Sequence, residues 1–158
     1  MATIYLETTI PSYLAARPSR DVVVNAHQQI THEWWEFARH RFVIVVSEAV
    51  LEEIRAGDAA SATRRLELVR DFPILELNDD VRKLAHTYEE ILRLPKKARV
   101  DLVHIAFAVS YEVDYLLTWN CAHLANGEVI RRLMATNRDL GRPTPLILTP
   151  EELSNPIE

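Results

Sequence analysis

Four oxygen-bearing side chains stand where apolar surroundings give them no ordinary reason to be. Glu7 closes the apolar run Ile4-Tyr5-Leu6, and Trp119-Asn120 closes Tyr115-Leu116-Leu117-Thr118. Glu53 and Asp101 lie among apolar residues in segments with helical spacing. A carboxylate buried without a cation is costly, or its pKa rises until it neutralises, and a hard metal ion is one remedy. Oxygen donors without sulfur or paired imidazoles select Mg²⁺ or Mn²⁺, and such ions with a few carboxylates serve phosphate chemistry. Each acid also has a plainer reading. Glu53, beside Val50 and Ile54, can pair with Arg55, and Asp101 can favour a helix N-terminus, where the macrodipole is worth about 0.3 to 1 kcal/mol.

Other chemistries find no support. The chain has no G-x-G-x-x-G, no Walker phosphate loop, no G-x-S-x-G elbow and no His-x-x-x-His pair. His104 and His123 flank the four positions and can contact a substrate, although a satisfied or surface histidine is the commoner role. Lys96, Lys97 and Arg99 precede Asp101, and with Arg64-Arg65 and Arg131-Arg132 they offer positive charge for a polyanion or simply solvated helix faces.

The elements that must position these residues alternate along the chain. Residues 3 to 7 read as a strand stopped by Pro11, followed by a loop through Pro18 and Ser19. From Asp21 the spacing of Val23, Ala26, Ile30, Trp34, Phe37 and Ala38 predicts a helix with one buried face. Residues 42 to 46 read as a strand covered on both faces. Ser47 is placed to cap a helix that turns Val50, Leu51 and Ile54 inward and ends at Gly57. Helices near 59 to 71 and 79 to 94 bracket a short strand at 73 to 77. A helix after Pro95, apolar nearly all round and carrying Val100, Val103, Ile105, Ala106, Phe107 and Val109, precedes a strand at 114 to 119. A helix over about 128 to 138 and a strand at 146 to 148 follow, and Thr149-Pro150-Glu151-Glu152 fits a capping box.

This alternation predicts an α/β fold with a mainly parallel sheet between helical layers, in which sites lie at the carboxyl ends of strands. Glu7 and Asn120 are at such ends, and Asp114 belongs to the opposite edge. The 158 residues suit one domain over 1–158. A hydrophobic content of 48% with 26% charged residues argues against extended disorder. The net charge of −5 argues against a broad nucleic-acid coat but not against a nuclease, whose metal-binding acids lower the net charge themselves. No apolar run is long enough to span a membrane, and with no basic leader and a single cysteine the cytoplasm is the expected compartment. Cys121 is expected to be a small buried side chain. Of the aromatics Trp34, Trp35 and Phe37, one tryptophan is expected inward and one at the surface, with a dimer or partner surface as the alternative.

The residues also resemble a known family. The start Ile-Tyr-Leu-Glu-Thr-Thr, the segment Val-Ser-Glu-Ala-Val-Leu-Glu-Glu-Ile-Arg-Ala-Gly-Asp, the helix Asp-Leu-Val-His-Ile-Ala-Phe-Ala and the strand Tyr-Leu-Leu-Thr-Trp-Asn are similar, in order and spacing, to the PIN domain, particularly VapC-like toxins. The resemblance implies a three-layer α/β/α sandwich with a central sheet of about five strands. It also implies Mg²⁺- or Mn²⁺-dependent endoribonuclease activity in a homodimer restrained by a cognate antitoxin. Carried over residue by residue, the family's acids fall on Glu7, Glu53 and Asp101, and a fourth falls on Asn120, two residues after Thr118. On this reading Glu7, Glu53, Asp101 and Asn120 hold metal, Glu53 orients or generates its hydroxide, and Thr118 assists by hydrogen bond.

Two departures from the pattern have consequences. Glu7 is one methylene longer than the family's usual aspartate, and Asn120 brings no charge. Three formal carboxylates then remain for up to two ions, so one ion is expected to bind weakly alone and the second mainly with substrate phosphate. The alternative is a PIN-fold RNA-binding or protein-interaction domain with little or no turnover. A receiver-like phosphoacceptor fits less well, since no aspartate ends the first strand.

Overall fold

The computed structural model describes residues 1–157. Five parallel strands run in the order β3-β2-β1-β4-β5, formed by β1 Thr3–Leu6, β2 Val43–Ser47, β3 Ile74–Leu75, β4 Tyr115–Leu117 and β5 Leu146–Leu148. Parallel neighbours need crossover connections, and seven helices supply them: α1 Thr9–Ala15, α2 Val22–Glu33, α3 Glu48–Arg55, α4 Ala59–Val69, α5 Asp79–Leu92, α6 Arg99–Ser110 and α7 Gly127–Leu140. The three-layer α/β/α expectation therefore holds, with the sheet wholly parallel. The inner strands are apolar on both faces, as burial between helical layers demands: Ile4, Tyr5, Leu6, Leu116 and Leu117 are all fully buried.

This strand order fixes where a site can form. β1 is flanked by β2 on one side and β4 on the other, and the later strands add outward from each. The order thus reverses between β1 and β4, leaving a crevice beyond their carboxyl ends. Register places Leu6 beside Leu117, and Glu7 N donates to Leu117 O at 3.1 Å, so Glu7 and Thr118 leave the sheet together. At the other edge Asp114 is exposed and accepts from Thr3 N at 2.8 Å, an end cap far from the crevice.

Local chemistry sets the element ends. Ser47 caps α3 through Val50 N, Asn78 caps α5 through Val81 N, and Asn126 caps α7 through Val129 N. Gly57 (φ +87°) and Gly141 (φ +68°) end α3 and α7 in the left-handed region open to glycine. The capping box at Thr149 starts a single 3₁₀ turn, Pro150–Leu153.

Several expectations need correction. Pro11 does not stop the chain but sits in the first turn of α1, where its missing N–H would have had no helical partner. The buried face of the predicted helix is borne out only in its second half: Ile30 packs against the core and Trp34 and Ala38 are buried, but Val23 is 62% exposed and Ala26 is exposed, and polar Gln28 and Thr31 are buried. Gln28 is drawn inward because its amide ties the preceding loop, accepting from Ser19 N and donating to Arg17 O. The helix then widens into a π-turn, Trp34–Ala38, closed by Arg39 N donating to Trp34 O. The extra residue per turn brings Ala38 under the core and rotates Phe37 out to 77% exposure. Trp34 is fully buried and Trp35 half-buried, as expected for that pair. Val100 is exposed at the start of α6, and Cys121, expected inside, lies exposed in the turn after β4.

The core depends on the β1–β4 seam. Leu116→Ala, at a fully buried central-strand position, is expected to destabilise by about 2 to 5 kcal/mol through lost transfer and a residual cavity. Urea unfolding should show a lower midpoint with an unchanged slope.

Candidate metal centre

The crevice collects side chains from four segments. Glu7 follows β1 directly and is only 4% exposed, although it is a carboxylate. Its Oε1 accepts from Thr9 Oγ1 at 2.7 Å and Thr118 Oγ1 at 2.5 Å, and its Oε2 accepts from Thr9 N at 3.0 Å. All three donors are neutral, and the nearby ionisable nitrogen is that of the buried His104 ring, whose charge Glu7 favours.

Glu53, half-buried in the last turn of α3, is cancelled in part. Its Oε1 accepts from Thr8 Oγ1 at 2.9 Å and makes a short contact with His104 Nε2. It does not pair with Arg55. His104 is fully buried, and its other nitrogen, Nδ1, is 2.6 Å from the Tyr5 hydroxyl, which in turn lies 2.6 Å from Ser47 Oγ. One line of hydrogen bonds thus joins Glu53, His104, Tyr5 and the Ser47 cap of α3 itself. The titration of the pair reflects this contact. Burial by itself would lower the His104 pKa, but the Glu53 hydrogen bond and the charges of Glu7, Glu53 and Asp101 raise it above its ordinary value. Burial likewise works to raise Glu53, yet His104 and Thr8 bring it below its ordinary value. The Tyr5 phenol is pushed well up, first by burial and then by the Glu7 and Glu53 charges, despite its bond to Ser47.

Asp101 forms the second half of the site. Its Oδ1 accepts from Asn120 Nδ2 at 3.0 Å and its Oδ2 lies 3.1 Å from His123 Nδ1. Burial raises its pKa, and the nearby charge of Glu53 adds to the rise while His104 and His123 oppose it. Asn120 spends its carbonyl oxygen on His123 N at 3.0 Å, and its own N–H donates to Thr118 Oγ1 at 2.9 Å. Thr118 therefore links the halves, giving its proton to Glu7 and accepting from Asn120.

The structure brings together all five residues singled out from the sequence, in an arrangement the sequence did not disclose. Among the described residues, the donor atoms lying within 4.8 Å of one another belong to Glu7, Glu53 and His104. Asp101 falls outside that trio, and Asn120 presents its amide to Asp101 rather than a carbonyl to the crevice. Tyr5, Thr8, Thr9 and the role of His104 were not anticipated, although signals existed. Tyr5 and Glu7 share a face by strand alternation, and Asp101 and His104 share one by i,i+3 spacing.

The donor set fits a hard divalent cation. Glu7 has only neutral donors, Asp101 is raised by burial, and the carboxylates converge with one buried imidazole between them. The basic residues considered from sequence are mostly engaged elsewhere: Arg99 with Glu89, Arg131 and Arg132 with Glu128, and Arg65 with the carbonyls of Ile54 and Ala56. Lys96 and Lys97 remain exposed. A cavity of about 500 Å³ between α3, α5 and α6 is lined by none of Glu7, Glu53 and Asp101.

No family model and no curated protein matches the chain. A chain of the crystal structure of VapBC2 from Rickettsia felis bound to a DNA fragment from their promoter is similar to it in structure. The TM-score is 0.54 at 13% identity, over 93% of this chain and 98% of that one. The likeness is one of fold, and the five-stranded parallel sheet with its flanking helices is PIN-like. Among the described residues no helix is long and apolar enough to cross a membrane.

The His104–Glu53 pair has a pH signature. The raised histidine contributes stability that is complete below its ordinary pKa of 6.5 and lost as pH rises through its higher folded value. The lowered glutamate contributes stability present above its ordinary 4.5 and lost as pH falls through its lower folded value. The pair therefore stabilises most between those ordinary values. Thermal melts across pH should show a decline on the alkaline side, and Glu53→Gln should flatten it.

Proposed function

We propose that this protein is a metal-dependent endoribonuclease that hydrolyses RNA phosphodiester bonds, acting as the toxin of a toxin–antitoxin pair. The observation that carries the reading is Glu7, buried at the β1–β4 switch point and hydrogen-bonded only by neutral donors, with Glu53 and Asp101 beside it. The PIN-like fold and the sequence resemblance to VapC-like toxins point the same way. The partners on this reading are an RNA substrate, a cognate antitoxin and a second copy of the chain, and the compartment is the cytoplasm.

Glu7, Glu53 and Asp101 would hold Mg²⁺ or Mn²⁺ beside the buried His104, with Asn120 acting through Asp101 and not as a ligand. The bound ion would supply Lewis acidity for an in-line displacement at phosphorus. The chain's own residues do the positioning. Thr9 and Thr118 fix both oxygens of Glu7, which offsets the freedom of its extra methylene. His104 and Thr8 hold one oxygen of Glu53, so that the other is the one presented to water or ion. Asn120 and His123 orient Asp101. With Asn120 neutral, three carboxylates meet the ion, and a Mn²⁺ titration of the free protein is expected to show one weak site. Two tight sites would contradict this charge count.

The assay is incubation of purified protein with single-stranded RNA and Mn²⁺. Asp101→Ala and Glu7→Ala are expected to abolish cleavage, and Thr118→Val to reduce it by roughly 10- to 100-fold, the usual cost of losing a group that orients a metal ligand. Cleavage surviving Asp101→Ala would identify a contaminant. One observation favours the second reading, a binding domain with little turnover: both Glu7 oxygens and the Asn120 carbonyl already have protein donors. Metal-independent RNA binding without cleavage would establish it.

A further inference from the structure

Beside the carboxylates lies an aromatic group that the metal-centred reading leaves unused. Trp119 sits between Thr118 and Asn120 in sequence, and it is held rigidly. Its backbone N donates to Thr9 Oγ1 at 2.9 Å and its Nε1 to Thr31 Oγ1 at 2.7 Å. Its ring stacks on His27 of α2, with centroids 4.0 Å apart and planes within 10°, and on Tyr13 of α1, at 6.4 Å and 24°. Trp119 is 7% exposed and so serves as the filling of this group, whereas Tyr13 and His27 on either helix are only half-buried.

The placement relative to the crevice is dictated by the chain. Thr9 and Tyr13 are four residues apart on α1 and share a face. Thr9 is the residue that grips Glu7 by both backbone and side chain. Tyr13 therefore stands one helical turn from the Glu7 anchor, and burial, with smaller contributions from Cys121 and Glu7, raises its phenol pKa. A rigid half-open ring next to a phosphate-cleaving centre presents a flat, sequence-tolerant surface to an unstacked base.

The geometry points to Tyr13, backed by Trp119 and His27, as a stacking platform for a nucleobase adjoining the scissile phosphate. This inference rests on the ribonuclease reading and adds to it a binding residue outside the carboxylate cluster. In a duplex the bases are already stacked and cannot reach the platform, so selectivity for single strands follows from the ring and not from the metal centre.

The test reads binding without turnover, by fluorescence anisotropy with Ca²⁺ in place of Mg²⁺. The probes are a labelled ten-nucleotide single-stranded RNA, an abasic ribose-phosphate strand of the same length and a double-stranded RNA. Loss of one base–aromatic contact corresponds to an affinity loss of about 5- to 150-fold. Tyr13→Leu should weaken single-stranded RNA by about that factor and leave double-stranded RNA unchanged, while Tyr13→Phe should retain wild-type affinity. The wild-type protein should itself bind the abasic strand at least about fivefold more weakly than the base-bearing strand, a result that does not depend on how any variant folds. Equal affinity of the wild type for the two strands, or of Tyr13→Leu and wild type for single-stranded RNA, overturns the platform while leaving the nuclease reading intact. Absence of binding to every RNA overturns both.

Discussion

The structure turns on keeping negative charge at the carboxyl edge of a parallel sheet. Glu7 is buried there because β1 is the central strand, flanked by β2 and β4, and it leaves the sheet level with Thr118 under the helical layers. It is held by three neutral donors: α1 opens two residues later and supplies the Thr9 N–H and hydroxyl, and Thr118, just past β4, supplies its hydroxyl. The second carboxylate is offset differently, by the imidazole of His104. That ring can be held inside an apolar helix only because Tyr5 satisfies its far nitrogen and Glu53 its near one.

Other parts of the fold follow from these two solutions. Tyr5 links His104 to Ser47, and Ser47 caps α3, so the helix that carries Glu53 is anchored at its start to the same line of bonds that holds its last turn. Thr118 binds Glu7 and receives Asn120, which places Asp101 through its amide and orders the turn leading to His123. The site is thus built from two hydrogen-bonded lines, one from Glu7 through Thr118 and Asn120 to Asp101 and one from Glu53 through His104 and Tyr5 to Ser47, so a change at Glu7 reaches Asp101 through named bonds. Such connectivity holds reacting groups to the tolerances that catalysis at phosphorus requires, about 0.5 Å.

Much of this was legible in the sequence where local rules govern. The β-branched and apolar runs marked the strands, Ser47 and Thr149 announced their caps, and acids stranded in apolar segments marked the crevice. What escaped was set by tertiary demands. Pro11 looked like a breaker because its position within a first turn depends on α1 beginning immediately after Glu7. Val23 and Phe37 looked buried because periodicity rewards apolar residues. The structure instead buries Gln28 and Thr31 for their hydrogen bonds and shifts the helix phase by a π-turn. Asn120 read as an oxygen donor from its type alone, and only the turn it caps shows where its carbonyl is spent. His104 carried the plain expectation of a satisfied core histidine, which is correct as far as it goes. Its partner is a site carboxylate, and no pattern in one sequence reveals that.

The central claim is that the buried hydrogen bond between Glu53 and His104 holds the histidine above and the glutamate below its ordinary value. Nitrogen-resolved NMR of the imidazole across pH, with the protein free of divalent ions, reads its titration directly. The account predicts a midpoint above the ordinary histidine value of 6.5 in the wild-type protein and a lower midpoint in Glu53→Gln. A wild-type midpoint at or below the ordinary value, or one that Glu53→Gln leaves unchanged, would contradict it.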